Sequence, residues 1–491
     1  MTSPAASRRA HDRNAAKTTE GTNGHLGLPG ELGRDDGGFF RHSRTIPVMN
    51  TLRRLVLRLA VSLPLLALAV AAFAAEPAAG GAGGELKLVI ILTRHGVRSP
   101  LANQTNFGRF AAEAWPAWDV PPGFLTPHGK QQMRLMGDYY RARYVAAGLL
   151  SGRAATDRER VVFRADNDQR TIETARDLAA TLLPGIEIDP HALPDGMIDP
   201  LFRPAAVTTL FHPDRALAVD AVLGRIGGDP GNITQANRAA FDTLERVLVG
   251  ESGTLPPGKV AVVDQPAAVV PGTLDHTVSV SGPLQTALSI TDVLMLEYAE
   301  GMPLEKVGWG RLTPARLTQL IELHSLGFEL MHGTFEPARV QASDLASHIL
   351  ATLEQATTGR PDPAAIGAPS QKLVVVVGHD TNIVSLGGLL GLGWWLPGTN
   401  RNPVLPGGAL VFELRQHAGD GRLAVRAFYV SQTLDQMRTL TPLSLDHPPA
   451  LAPIFIPGCS EAGTGFDAPL PAFEALLRRV IDPRFVAPEP H

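Results

Sequence analysis

The stretch that decides the fold is LVIILTRHGVRSP, residues 88–100. Its first five residues are all apolar and branched, which predicts a strand that is buried on both faces. A single Thr93 separates this strand from a loop that carries two arginines, a histidine and a glycine. In α/β proteins the loops that follow such strands hold the chemistry. Residues 88–100 therefore predict an α/β fold with a functional loop directly behind a central strand.

A second stretch, KLVVVVGHDTN at residues 372–382, repeats this arrangement. Its four valines predict another buried strand, and His379 and Asp380 follow that strand almost at once. Two such strands, each ending in a histidine loop, are hard to obtain by chance. We therefore expect both loops to contribute to one site.

The first loop has the residue types that attack on a phosphate ester requires. His95 supplies a nitrogen nucleophile, and Arg94 and Arg98 supply forked cations. An Arg-His-Gly tripeptide alone is equally typical of an ordinary basic loop after a strand. The full run of residues 94–100 is more specific, and it resembles the signature of the histidine acid phosphatases. This branch of the histidine phosphatase superfamily includes periplasmic phytases and glucose-1-phosphatases.

The resemblance extends over roughly residues 85–480. The family carries its proton donor on a His-Asp pair after a second strand, which here is His379-Asp380. The segment DNDQRT at residues 166–171 resembles the one that holds a third phosphate-binding arginine, which by position is Arg170. Without the family, Arg170 would be interpreted as a solvated residue in the first turn of a helix. Further matching motifs are LTPHG at 125–129, DPLF at 199–202, GMP at 301–303, GWGR at 308–311, PGG at 406–408 and SQTLDQMR at 431–438.

The resemblance implies a division of roles around a bound phosphoryl group. His95 would attack phosphorus, and Asp380 would protonate the leaving oxygen and later activate water. A carboxyl with a reference pKa of about 3.9 is protonated only at low pH, so an acid optimum is expected. This scheme requires no metal and no organic cofactor. The groups expected to surround the phosphoryl group are Arg94, Arg98, Arg170 and His379.

A divalent cation held by four residues of these motifs is the competing interpretation. The candidate ligands would be His95, His128, His379 and Asp380. None of them has the close spacing of a typical metal site, and the neighbouring arginines would repel a cation. The sequence therefore predicts no metal at this site.

Three positions bear on the substrate. The family's phytases usually have a hydroxyl residue and a lysine directly after the first motif, where this chain has Leu101 and Ala102. Both changes remove polar contacts to a polyanion. Asp292 matches the aspartate of glucose-1-phosphatases rather than the glutamate of phytases, although it could equally be one solvated carboxylate on an amphipathic helix. Ala409 also departs from the glutamate that the family commonly has, and its effect is left open. Glucose-1-phosphate is favoured over phytate on these grounds.

The beginning of the chain predicts export. Residues 49–74 have three arginines, an apolar core and small residues before Ala75, which is the pattern of a secretory signal peptide. A membrane anchor is the alternative, but the apolar run is short. Residues 1–48 are expected to be disordered or an upstream extension from a wrongly chosen start codon. The predicted location is periplasmic or secreted, without a stable membrane anchor.

Composition limits the remaining possibilities. The 491 residues have a formal net charge of −4, and no basic stripe with interleaved aromatics suggests a nucleic-acid partner. Cys459 is the single cysteine, so an internal disulfide is impossible and the disulfides of better-known family members cannot be carried over. The expected partners are small-molecule phosphate esters, and the oligomeric state is left open.

Strand and helix signals alternate over residues 85–195 and 310–485, which predicts an α/β catalytic domain. We expect a mostly parallel central sheet flanked by helices. Residues 196–309 would form a smaller, mainly α cap domain, with helical runs at 236–248 and 284–299.

The resulting functional prediction is an acid phosphatase that cleaves phosphomonoesters of sugars or sugar alcohols through a phosphohistidine. The alternative from a different class is a non-catalytic periplasmic phosphosugar-binding protein, which would need neither His95 nor Asp380. A cytosolic phosphoglycerate-mutase-like transferase would share the first motif, but the signal peptide and residues 378–380 disfavour it.

Overall fold

The computed structural model describes residues 84–463 and 465–488. All of these residues fall within one compact unit. The predicted extension at 1–48 and the predicted signal peptide at 49–74 lie outside the described residues. Among the helices that are described, none combines the length and the apolar composition needed to cross a membrane.

A seven-stranded sheet forms the centre of the protein. Its strand order is β2-β5-β1-β6-β7-β8, with β9 also paired to β7. The strands are β1 Glu85–Arg94, β2 Val161–Ala165, β5 Leu373–Gly378, β6 Ala409–Gln416, β7 Leu423–Ser431, β8 Ala450–Ile454 and β9 Ala468–Pro469, and a separate two-stranded sheet pairs β3 Ala268–Pro271 with β4 Val278–Ser281.

The sheet is mixed, where the sequence favoured a mostly parallel one. Strands β1, β2 and β5 are parallel, whereas β6, β7, β8 and β9 pair antiparallel. The short segment between β6 and β7 joins them as a hairpin, and such a connection permits only antiparallel pairing. The α/β class and the flanking helices are as predicted.

Helices cover both faces of the sheet. The residues of β1 alternate between the two cores: Leu88, Ile90 and Leu92 pack on one face, and Val89 and Ile91 pack on the other. This is why residues 88–92 of the strand are all apolar, as the sequence indicated. The α-helices are α1 Pro127–Ala146, α2 Ala154–Asp157, α3 Gln169–Leu182, α4 Arg215–Arg225, α5 Gly231–Ala236, α6 Arg238–Val249, α7 Pro283–Ala299, α8 Pro314–Met331, α9 Phe335–Thr358, α10 Asp380–Leu390, α11 Leu434–Thr439 and α12 Leu470–Val480.

Short 3₁₀ helices occupy several connections, and the one most relevant to the site spans Ala102–Arg109. The others are Arg158–Arg160, Pro204–Ala206, Val262–Asp264, Val307–Gly310 and Pro483–Phe485.

A third apolar core lies among helices α4 to α8. Its helices α6 and α7 correspond to the helical runs expected at 236–248 and 284–299. The core also takes in Leu317 and Leu320 of α8, which follow residue 309, and the region contains the hairpin of β3 and β4. The division into a catalytic domain and a cap at 196–309 stays a prediction.

Candidate active site

The two histidine loops meet because their strands are neighbours in the sheet. Arg94, the last residue of β1, is paired in register with Gly378, the last residue of β5. The His95 amide donates a hydrogen bond of 3.0 Å to the Gly378 carbonyl, and the rings of His95 and His379 have their centroids 5.6 Å apart. The structure thus brings the two predicted loops to one edge of the sheet.

Two glycines beside His95 have no room for a side chain. A Cβ at Gly408 would lie 2.0 Å from the hydroxyl oxygen of Tyr429, and one at Gly407, where φ is +67°, would lie 2.7 Å from the Met133 sulfur. Their backbone supports the first loop directly, since the Gly407 amide donates to the His95 carbonyl at 2.9 Å. This explains the Pro-Gly-Gly motif. Ala409, whose effect the sequence left open, is a buried core residue of β6.

His95 is held as a neutral imidazole. Its Nδ1 lies 2.8 Å from the Gly96 carbonyl oxygen, which can only accept, so Nδ1 carries the proton and Nε2 carries the lone pair. The residue is only 2% exposed. Burial lowers the pKa of His95 well below its usual value, and the charges of Arg170, Arg94 and Arg98 lower it further. The imidazole therefore stays unprotonated in mildly acidic solution.

Asp292 bridges the two arginines of the first loop. Its Oδ1 lies 2.9 Å from Arg94 Nη2, and its Oδ2 lies 2.9 Å from Arg98 Nη2. Gln104 donates a further hydrogen bond of 3.2 Å to Oδ2. Burial would raise the pKa of Asp292, but the two guanidinium groups outweigh this effect and lower it. The alternative interpretation of Asp292 as a solvated carboxylate is wrong, because Asp292 is only 4% exposed and is paired with two arginines.

Three arginines near His95 each have a buried N–H group that donates no hydrogen bond to the described residues. The Nε–H groups of Arg94, Arg98 and Arg170 are buried and have no hydrogen-bond partner among the described residues. A buried donor without a partner costs about 1–3 kcal/mol. Three such donors around one histidine form a site that is suited to the oxygens of an anion.

Asp380 lies at the beginning of α10, next to Arg94. Its Oδ2 is 3.0 Å from Arg94 Nη2, and its Oδ1 accepts a hydrogen bond of 2.8 Å from the Thr381 amide. Burial raises the pKa of the carboxyl, but the positive charge of Arg94 outweighs burial and leaves the pKa lowered. In the unliganded protein Asp380 is therefore a carboxylate until the solution is quite acidic.

His379 is oriented by the segment that follows β2. Its Nε2 lies 2.8 Å from Asp166 Oδ2, and its Nδ1 lies 3.4 Å from Arg170 Nη2. Burial raises the pKa of Asp166, but His379 and Arg203 outweigh it and bring that pKa down to about 2. Arg170 is held in turn by Asp168 at 2.8 Å. The predicted phosphate-binding residues Arg94, Arg98, Arg170 and His379 are thus all brought together.

The fold does not bring together the four residues that the metal-binding interpretation named. His128 is outside the site, because its Nε2 is hydrogen-bonded to the Met437 carbonyl at 2.8 Å. In the described part of the chain, the group with metal-like spacing is Asp166, Asp168 and His379. Arg170 and Arg203 already engage these carboxylates, which opposes a second cation there.

Leu101 lies at the edge of the site. A Cβ at Gly123 would lie 3.1 Å from Leu101 Cδ2 and 3.7 Å from Arg170 Nη1, so the glycine lets the chain pass between them. Gly123 also has a φ of +79°, which favours glycine. An apolar side chain therefore stands near Arg170.

Sequence reasoning missed three residues of the site. Asp166 begins the segment at 166–171, and its position directly after a buried strand is a usable signal for a buried carboxylate. Arg203 reaches Asp166 with its Nε at 3.3 Å, and Gln104 contacts both Arg98 and Asp292. Nothing in the sequence around Arg203 or Gln104 indicated these contacts, which exist only in the folded chain.

Comparison with known proteins identifies the family. A family model described as "Histidine phosphatase superfamily (branch 2)" matches residues 85–221. The phytase AppA of Escherichia coli (strain K12) is 37% identical over 388 residues, which cover 77% of this chain and 88% of that protein. The chain belongs to the histidine phosphatase superfamily, branch 2. This histidine phosphatase is also 28% identical over 387 residues to the glucose-1-phosphatase of Providencia rettgeri, with 78% of this chain and 88% of that protein covered.

Solved structures agree with this assignment. The phytase from Citrobacter braakii matches with a TM-score of 0.74 and 32% identity over 82% of this chain and 100% of that chain. The Hafnia alvei phytase in complex with myo-inositol hexakis sulphate matches with a TM-score of 0.74 and 31% identity over 83% and 100% of the respective chains. The resemblance found in the sequence is confirmed. The protein is a histidine acid phosphatase that hydrolyses phosphomonoesters.

Proposed function

We propose that this histidine acid phosphatase acts on monophosphates of sugars or sugar alcohols, with His95 as nucleophile and Asp380 as general acid. The observation that carries the proposal is that Arg94, Arg98 and Arg170, whose charges act on His95, each keep a buried Nε donor without a partner among the described residues, while His95 is neutral with its lone pair on Nε2. Relatives named as phytases and as glucose-1-phosphatases support both phytate and glucose-1-phosphate as candidate substrates.

The reaction has two steps. His95 Nε2 bonds to phosphorus while the ester P–O bond breaks, and the leaving oxygen takes the proton of Asp380. Water then attacks the phosphohistidine, gives a proton to the Asp380 carboxylate and releases inorganic phosphate together with free His95. Arg94, Arg98, Arg170 and His379 would bind the phosphoryl oxygens throughout.

Charge balance favours a single phosphate at a time. Each arginine of the site already pairs with a carboxylate: Arg94 with Asp380 and Asp292, Arg98 with Asp292, and Arg170 with Asp168. Leu101 and Ala102 add no further cation at the edge. A multiply charged ring would find few partners beyond the phosphoryl group that reacts, which supports glucose-1-phosphate over phytate.

The test is phosphate release by the full chain between pH 4 and 7, with chelator present, from glucose-1-phosphate and phytate in parallel. We expect activity that peaks below neutrality and is lost in His95→Ala, while His447→Ala, at an exposed histidine, leaves it unchanged. Retention of activity in His95→Ala would overturn the assignment of the nucleophile.

We further propose that the enzyme works outside the cytoplasm, in the periplasm or after secretion. The support is the signal-peptide pattern of residues 49–74. Mass spectrometry of the protein recovered from the periplasm should find Ala75 as its first residue. Recovery of uncleaved protein from the cytoplasm would contradict this location.

A further inference from the structure

A cavity of about 370 Å³ is lined by helix α9, strand β2 and the loop that joins α9 to β5. Its polar lining residues are Arg164, His191, Asp344, His348 and Gln371, and none of them belongs to the candidate active site. His191 is exposed, so the cavity opens to solvent. The mechanism uses neither this space nor the side chains around it.

Asp344 and His348 form the part of this cavity that suits a ligand. They are four residues apart on α9, so their side chains lie on one face of the helix. Asp344 Oδ2 lies 3.8 Å from His348 Nε2, which is too far for a hydrogen bond. Asp344 is only 1% exposed, and no group in the described part of the chain hydrogen-bonds its Oδ2. A buried carboxylate oxygen is thus left without a partner at the wall of a cavity.

The second polar atom of each side chain is already held by the backbone. His348 Nδ1 lies 2.5 Å from the Ala364 carbonyl oxygen, which can only accept, so in the neutral ring Nδ1 carries the proton and Nε2 presents its lone pair. Asp344 Oδ1 accepts a hydrogen bond of 2.7 Å from the Ala487 amide. Two acceptors therefore face each other. Histidines that bind metals commonly donate their other N–H to a backbone carbonyl in this way.

We propose that Asp344 and His348 bind a divalent transition-metal ion, for which Zn²⁺ is the best match, and that water in the cavity completes its coordination. Imidazole nitrogen together with carboxylate oxygen suits Zn²⁺ better than Ca²⁺ or Mg²⁺. Bonds of about 2.0–2.2 Å at a tetrahedral angle place two ligand atoms about 3.4 Å apart. A small rotation of the His348 side chain, which is 14% exposed, brings both atoms within reach of one ion.

The charges around the cavity permit a cation. Arg164 lines the same space, but its Nη2 is paired with the carboxylate of Asp199. Its Nη1 donates to the carbonyl oxygens of Ala165 at 2.9 Å and His191 at 3.2 Å. The charge of Arg164 is therefore matched, and the carboxylate of Asp344 remains to meet a positive ion.

Such an ion would act on stability rather than on catalysis. Through their backbone hydrogen bonds, Asp344 and His348 connect α9 to the segment around Ala487 and to the loop at Ala364. An ion on the two side chains fixes all three segments together. Cys459 is the single cysteine, so no internal disulfide can serve this purpose.

The test is calorimetric titration of Zn²⁺ into the full chain, purified without a histidine tag, stripped with chelator and kept in phosphate-free buffer at pH 7. We expect one bound ion with a micromolar Kd. His348→Ala and Asp344→Asn should each weaken binding at least about tenfold, whereas His447→Ala, at an exposed histidine, should leave it unchanged. Zn²⁺ should raise the thermal unfolding midpoint of the wild type and of His447→Ala but not that of the two site variants.

The opposite results would overturn the proposal. Absence of binding to the wild type would mean that Asp344 and a protonated His348 form an ion pair only. Binding that survives in His348→Ala and is lost in His379→Ala would place the ion at the group formed by Asp166, Asp168 and His379. Because Asp344 is buried, circular dichroism checks the fold of each variant, and if Asp344→Asn is unfolded, His348→Ala decides.

Discussion

The carboxyl of Asp380 is governed by Arg94, 3.0 Å away. Arg94 outweighs burial and lowers the pKa of Asp380 in the free enzyme, yet a general acid must be protonated. A phosphate dianion beside Arg94 adds negative charge, which raises that pKa at the moment when the proton is needed. We expect Asp380→Asn to slow kcat about 10²- to 10⁴-fold for an alkyl phosphate and far less for p-nitrophenyl phosphate, whose leaving oxygen needs no proton. Steady-state kinetics on both substrates tests this, and equal losses would exclude Asp380 as the acid.

Asp292 illustrates a second effect at the residue scale, because its removal takes the carboxylate that two buried guanidinium groups share, leaving Arg94 with Asp380 alone and Arg98 without its ion pair. We expect Asp292→Asn to lower the free energy of unfolding by roughly 3–5 kcal/mol. Inorganic phosphate should restore more stability to this variant than to the wild type, since the anion replaces the lost charge. Urea unfolding with and without phosphate measures both quantities. Asp242→Asn, in an exposed pair with Arg238, is the control and should change stability by less than about 0.5 kcal/mol.

At the scale of single elements, α1 depends on the residue that precedes it. Thr126 is the N-cap of α1, and its Oγ1 accepts a hydrogen bond of 2.8 Å from the Gly129 amide and donates one of 2.5 Å to Glu300. We expect Thr126→Ala to destabilise the protein by about 1–2 kcal/mol, measured by urea unfolding. Thr357→Ala, whose hydroxyl is exposed near the end of α9, should have little effect. A similar loss in both variants would contradict a specific capping role.

Some elements of the fold could be predicted from the sequence, and others could not. Strands β1 and β5 and the Thr126 cap were predictable because each is encoded by a short, local pattern. The antiparallel half of the sheet was missed because pairing between β6 and β1 depends on residues far apart in the chain. In the site, the family motif located Arg170, but the bridge made by Asp292 and the contact of Arg203 with Asp166 arise only from tertiary packing.

For the molecule as a whole, buried groups make stability depend on pH in two opposing ways. Burial raises the pKa of Glu297 to about 8 and that of Glu300 to about 7. The stability that these two carboxyls contribute is therefore fully present below pH 4.5 and is lost as pH rises through these values. Burial lowers the pKa of His95, and lowers that of His332 to about 3, so below pH 6.5 the unfolded chain takes up protons that the folded protein does not. We expect the free energy of unfolding to be greatest between about pH 5 and 7.

Urea unfolding midpoints from pH 4 to 9 test this expectation. Glu297→Gln should remove a negative slope of at most about 1.4 kcal/mol per pH unit between pH 4.5 and about 8, and leave the slope below pH 4.5 as it is. A maximum above pH 8 would contradict the assignment of Glu297 as a neutral buried carboxyl.

The pairing of β1 with β5 also has a consequence for the order in which the site forms during synthesis. His95 is synthesised early, but β5 and the proposed acid Asp380 are synthesised only when most of the chain has been made. Pairing of such distant segments is a slow step in folding. A chain that ends before β5 thus contains the proposed nucleophile without the proposed acid, and we expect no hydrolysis from it.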